Sequence, residues 1–135
     1  MYLMDSDILI DLCRRRIAPQ QHIYCVGISN CVVSEISLAE MLVGAYKTGK
    51  ELEFRQVEKI QDVFETVPVT YGIIDRYAQL RALLETRGTR IASMDLFIAA
   101  TALANNYTLV THNARHFSRI PGLQLEDWTE EDRND

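Results

Sequence analysis

The chain has 135 residues, 47% of them hydrophobic and 24% charged, with a net charge of −5; this is the make-up of one globular domain with a core of its own. No apolar run reaches the ~20 residues of a membrane helix, and Met1–Asp11 carries three aspartates where a leader would need a basic start. Three cysteines, Cys13, Cys25 and Cys31, without C-x-x-C spacing, fit reduced thiols in a cytoplasm and exclude a disulfide framework or a cysteine zinc site.

Tyr2-Leu3-Met4 is an apolar strand candidate, with Asp5-Ser6-Asp7 at its carboxyl end. Ile8–Cys13 follows as a helix with Ile8, Leu9 and Leu12 as its apolar stripe, Ser6 or Asp7 as its cap, and Arg14-Arg15-Arg16 at its end, where cations suit the dipole or bind phosphate. Ala18–Gly27, with Pro19 and two glutamines, reads as a connection. Ile28–Val33 is a second strand, and Ser34 caps a helix over Glu35–Lys47. In that helix Glu40 shares a face with Ile36, Val43 and Gly44, an unusual place for a solvated carboxylate. Lys50–Phe64 is an amphipathic helix with Leu52, Val57, Ile60, Val63 and Phe64 as its apolar positions.

Val67-Pro68-Val69 is a short strand, and its proline places it at an edge or an end. Gly72–Thr86 is a helix with Ile73, Ile74, Tyr77, Leu80, Leu83 and Leu84 facing inward, broken at Gly88. Ser93 caps an alanine- and leucine-rich helix that ends at Asn105-Asn106, since asparagine tolerates the left-handed closing conformation. Tyr107–Val110 is a buried strand, Asn113–Arg119 a turn, and Leu123–Leu125 a last strand. The final ten residues hold six acids and one arginine, so the preceding 125 are neutral, with 13 acids and 13 bases. The chain divides into a domain over residues 1–128 and an acidic tail over 129–135. A neutral body beside an acidic tail does not exclude a nucleic-acid partner.

Alternation of strand and helix calls for a parallel sheet flanked by helices, an α/β fold in three layers. Such sheets take ligands outside the carboxyl ends of their strands. Asp5 and Asn113 fall at that edge, and Glu40 and Asp95 can face it from their helices. Carboxylates gathered there repel unless protonated or bridged by a cation, and an oxygen-only set suits Mg²⁺ or Mn²⁺. Taken singly, each acid has a plainer role: Asp5 as a cap, Asp95 as a first-turn acid, Glu40 reaching back to water.

The stretches YLMDSDILIDL (2–12), ISLAEMLVGA (36–45), MDLFIAATALANNYTLVTHNARHFSRIPGL (94–123) and EDW (126–128) carry a resemblance. In them the chain resembles the PIN-domain ribonucleases, in particular the VapC-type toxins of bacterial toxin–antitoxin pairs. The resemblance implies a single PIN-like domain that cleaves RNA at one or two Mg²⁺ or Mn²⁺ ions. It carries the metal and catalytic roles onto Asp5, Glu40 and Asp95, a catalytic role onto Asn113, and supporting roles onto Ser6, Asp7 and Thr111. It also implies a small antitoxin partner that blocks the site, a homodimer, and contact with DNA only through that antitoxin. Arg87, Arg90 and Arg115 are candidates for holding RNA phosphates. Two departures stand out. The first motif, usually Asp-Thr-Asn, is Asp5-Ser6-Asp7, and His116 stands where many relatives have an acid.

Two rival functions start from the same residues. An inactive PIN-fold binding module would keep the fold, although the retained Asp5, Glu40 and Asp95 count against it. A haloacid-dehalogenase-type phosphatase would use Asp5-x-Asp7 as its nucleophile motif, but its later Lys and Gly-Asp-x-x-x-Asp pattern is absent.

Overall fold

A computed structural model describes residues 1–129. Five parallel strands, β1 (Tyr2–Met4), β2 (Cys31–Ser34), β3 (Glu65–Val67), β4 (Thr108–Val110) and β5 (Leu125–Glu126), form one sheet in the order β3-β2-β1-β4-β5. The helices are α1 (Ser6–Cys13), α2 (Ile17–Val26), α3 (Glu35–Thr48), α4 (Glu51–Val63), α5 (Tyr71–Thr86), α6 (Ser93–Asn105) and the single turn α7 (Ala114–Phe117).

The layering follows from the strands' two-residue period. Leu3, Val32 and Leu109 point to one face, where they pack with Ile73, Leu80 and Leu84 of α5 and Leu96 and Ile98 of α6. Met4, Cys31, Val33 and Val110 point to the other, where they meet Ile8 and Leu9 of α1, Ile23 of α2, and Val57 and Ile60 of α4. Both faces are covered, which is why the strands read as continuous apolar runs. The chain leaves β1 toward β2 and β3 on one side and places β4 and β5 on the other. The sheet's switch point therefore lies between β1 and β4, in register Leu3↔Leu109 and Met4↔Val110.

Several local expectations need correction. The stretch expected to be a connection contains α2. Pro19 stands at its third position, where its missing N–H has no intrahelical partner to lose, and Gly27 at φ 90° stops the helix. Neither Ser6 nor Asp7 caps α1; Asp5 does, accepting the Ser6 N–H at 2.8 Å. Ser93 is the first residue of α6, not its cap. The cap position is Ala92, which has no side-chain hydrogen bond to offer. The second strand begins at Cys31 after a 3₁₀ turn at Ile28–Asn30. β3 ends before Pro68, at the sheet's edge, and β5 lies two residues later than expected at its start. The turn after β4 holds α7. Leu52, Val63, Ile74 and Leu83 are exposed, because the core takes up only one stripe of each helix, Val57 and Ile60 of α4 and Ile73, Leu80 and Leu84 of α5.

Other expectations hold. Ser34 caps α3 through the Ile36 N–H, and Asn106 closes α6 at φ 55°. Arg14 follows α1 as its C-cap, and Arg15 turns the chain at φ 58°. Of the acidic tail, residues 130–135 lie outside the described part. Just before them Trp128 is buried, stacked on His22 and tilted against Tyr2. Among the described residues no helix is long and apolar enough to cross a membrane.

Candidate active site

β1 and β4 deliver their next residues to one place. The Asp5 N–H donates to the carbonyl of Val110 at 2.9 Å, extending the ladder one step past both strands. Thr111 then sits opposite Asp5, although 106 positions separate them. The Thr111 hydroxyl lies 3.0 Å from Asp5 Oδ2 and 3.3 Å from Asp7 Oδ2, and it accepts the Asn113 N–H at 3.1 Å. A hydroxyl has one proton, so it can donate to only one of the two carboxylates at a time; Asp5 is the nearer.

Asp7 serves a structural purpose as well. Its Oδ1 accepts the Ile8 N–H at 2.7 Å, and its Oδ2 accepts the His112 N–H at 3.0 Å. It thereby pins the end of β4 to the start of α1. The same junction is held from outside by His112 Nε2 and Asp11 Oδ2, 2.8 Å apart.

The electrostatics show crowding. Asp5, 6% exposed, has its pKa pushed up to about 7, first by burial and then by the neighbouring Asp7 charge, against the Ser6 and Thr111 hydrogen bonds that favour the carboxylate. Burial also raises Asp7, opposed mainly by the His112 N–H. Burial raises Glu40, and the charges of Asp95 and Asp7 add to it. Glu40 Oε1 is buried with no hydrogen-bond partner, an expensive state for a carboxylate oxygen unless something else meets it. Asp95 stands in the first turn of α6, its Oδ2 3.3 Å from His116 Nε2. That approach lacks hydrogen-bond alignment, so the imidazole nitrogen is also without a partner. Arg119 fixes the ring from behind, with Nη2 2.7 Å from Nδ1 and Nε donating to the His116 carbonyl at 3.0 Å.

Asp5, Asp7, Glu40 and Asp95 are thus close enough to feel one another's charge. Among the described residues, however, no three His, Cys, Asp or Glu side chains converge into a ready-made metal cage. Ser6 contributes its backbone N–H. Asn113 is exposed at the head of α7, and its side-chain amide makes no hydrogen bond among the described residues.

Of the three candidate arginines, Arg90 alone lines a cleft of about 860 Å³ beside the start of α6. Arg87 ends α5 and is exposed, and Arg115 is exposed on α7. That cleft also holds Arg81, which the sequence reading passed over. Its only trace there was the four-residue spacing from Tyr77 along α5.

A family model described as the PIN domain matches residues 2–123. The chain belongs to the PIN-domain family. It is 33% identical over 134 residues to ribonuclease VapC1 of Haemophilus influenzae, covering 96% of this chain and 98% of the relative. It is 28% identical over 128 residues to the tRNA(fMet)-specific endonuclease VapC of Salmonella typhimurium, covering 94% and 97%. Among solved structures, VapBC2 from Rickettsia felis bound to a promoter DNA fragment superposes with a TM-score of 0.85 at 29% identity, covering 94% of this PIN domain and 98% of that chain. These relatives span the domain from end to end, the acid-bearing segments included.

Proposed function

We propose that this PIN domain is a metal-dependent endoribonuclease, the toxin of a toxin–antitoxin pair, that cuts RNA in the cytoplasm at the carboxyl edge of its sheet. One observation carries the reading: the buried Asp5 after β1 and the half-buried Glu40 of α3 and Asp95 of α6 crowd that edge, and the Glu40 Oε1 atom has no partner. Relatives named as VapC ribonucleases and VapBC complexes support it.

The donor set fits a hard divalent ion. All its candidate ligands are oxygens, the orphaned Glu40 Oε1 calls for a positive neighbour, and Mg²⁺ commonly needs only one or two carboxylates because it keeps several waters. Asp5, Glu40 and Asp95 would hold Mg²⁺ or Mn²⁺, as one ion or two. The ion would supply a more acidic bound water and stabilise charge building on the phosphodiester.

The remaining residues prepare that edge. Thr111 orients Asp5 through its hydroxyl, and Ser6 does so through its N–H. Asp7 holds β4 against α1, so that Asp5 and Asn113 keep their spacing. Asn113 presents a free amide for orienting water or a phosphoryl oxygen. The antitoxin partner would cover this edge, with a basic side chain meeting the carboxylates. The toxin would act as a homodimer and touch DNA only through the antitoxin.

The test is cleavage of bulk transfer RNA by the purified protein with Mn²⁺ or Mg²⁺. Wild type should cut, while Asp5→Ala and Asp95→Ala should fold but not cut, and EDTA should stop the wild type. Undiminished cleavage in excess EDTA, or by Asp95→Ala, would overturn the mechanism.

A further inference from the structure

We infer that the cleft between α5 and the start of α6 is a phosphate-binding site for the RNA strand, with Arg81 as its anchor. The inference rests on the nuclease reading and adds a residue which that reading does not supply.

The cleft is lined by Tyr77, Arg81, Glu85, Thr89, Arg90 and Ser93, among others. Arg81 is held there in two ways. Its guanidinium lies 5.6 Å over the Tyr77 ring, within cation–π range. The Tyr77 ring is stacked on Phe97, with centroids 3.9 Å apart and planes 5° from parallel. Arg81 Nη2 also donates to Ser93 Oγ at 3.4 Å, an oxygen that Tyr77 OH approaches at 3.3 Å. The phenol's pKa is lowered by the Ser93 hydrogen bond and by Arg81, which agrees with that packing.

What Arg81 lacks is an anion. Glu85, one turn on, lines the same cleft but is not within ion-pair distance, nor is any other carboxylate among the described residues. Of its five N–H donors only one is engaged there. A planar donor fork, already immobilised, loses little further freedom on binding and matches a phosphate. The neighbours fit the same ligand: Arg90 is a second cation, and the Thr89 and Ser93 hydroxyls suit phosphate and sugar oxygens. The Tyr77 ring already stacks on Phe97 and carries the guanidinium, and the cleft's remaining donor side chains are cations and hydroxyls, which suit the backbone and not a base.

The cleft's position suits a strand that also reaches the acids. Ser93 and Asp95 are two residues apart, about 200° around the first turn of α6. Cleft and acids therefore flank that helix end from opposite sides. An RNA strand connecting them crosses the exposed Ala92–Met94 segment.

The probe is a fluorescein-labelled single-stranded RNA, titrated with the full-length protein in EDTA across a range of salt. Arg81→Ala should raise Kd on the order of tenfold and reduce the log Kd–log salt slope by about 0.7. Its effect should be similar for RNAs of different sequence. Arg81→Lys, which keeps the charge and loses the fork, should keep the slope with an intermediate Kd. Circular dichroism establishes that each variant is folded; should Arg81→Ala fail to fold, Arg81→Lys and Ser93→Ala carry the test, both with weakened binding expected.

If wild type cleaves RNA and the variants match it in Kd and slope, the cleft assignment is wrong and the nuclease reading stands. If wild type binds RNA through Arg81 but never cuts, the reverse holds. No RNA affinity in the wild type overturns both. Loss of poly-glutamate binding in Arg81→Ala, with RNA binding intact, would make the cleft a dock for an acidic protein instead.

Discussion

Without a metal ion, this protein should lose stability as the pH rises from about 4 to about 7, and Asp5→Asn should remove much of that loss. In the native state Asp5 holds its proton to about 7, against an ordinary value of 3.8. Below 3.8 both the folded and the unfolded chain carry the proton, and its contribution is fully present. Between 3.8 and 7 the unfolded chain has released it while the native state has not, so stability falls with pH. Above 7 both states are ionised and the penalty is complete, on the order of 4 kcal/mol, or roughly 15 °C in melting temperature.

The amide keeps the local contacts. Its oxygen can accept the Ser6 N–H, and its nitrogen can donate to Thr111, whose proton then turns to Asp7 Oδ2 at 3.3 Å. Melting curves in EDTA across this pH range measure the effect. The variant should be the more stable protein at pH 8, with the gap closing toward pH 4. A gap that stays constant with pH would refute the placement of Asp5 among unneutralised carboxylates.

Saturating Mg²⁺ or Mn²⁺ should raise the wild-type melting temperature, by about 2.7 kcal/mol of stability at a hundred times Kd, and Asp95→Asn should abolish that rise while stabilising the metal-free state; calorimetry showing no binding to wild type would remove the metal site. Asp7→Asn should cost about 1–3 kcal/mol in urea unfolding at about pH 5, because both Asp7 oxygens accept backbone N–H groups and an amide nitrogen must face one of them; an unchanged unfolding midpoint would mean Asp7 does not hold β4. Trp128→Ala should cost about 3–5 kcal/mol, since Trp128 is 1% exposed between Tyr2 and His22; a loss below 1 kcal/mol would show that the segment after β5 is not part of the folded unit.

Local chemistry determined much of this protein before any contact was known. The apolar runs of β1 and β4, the Ser34 cap, and the Asn106 stop after a glycine-free apolar helix are short-range signals, and each stands in the structure where the residues put it, within a residue. The same signals marked Asp5, Glu40 and Asp95 as carboxylates in apolar company, because burial of a charge is visible from its neighbours along one helix or strand. They misjudged α2, where Pro19 looked like a breaker but falls at a helix position that spares it, and where Ala18, Pro19 and Ile23 are buried only by tertiary contact.

Strand register and helix packing decided the rest. The 106-position step from Asp5 to Thr111 closes only because β1 and β4 are neighbours in a parallel sheet. Arg81 gains its place only when α5 lies against α6 and brings Tyr77 to Phe97 and Ser93. A side chain's local propensity carries no information about such partners, since the free energy that joins them comes from surfaces that meet after the chain has folded.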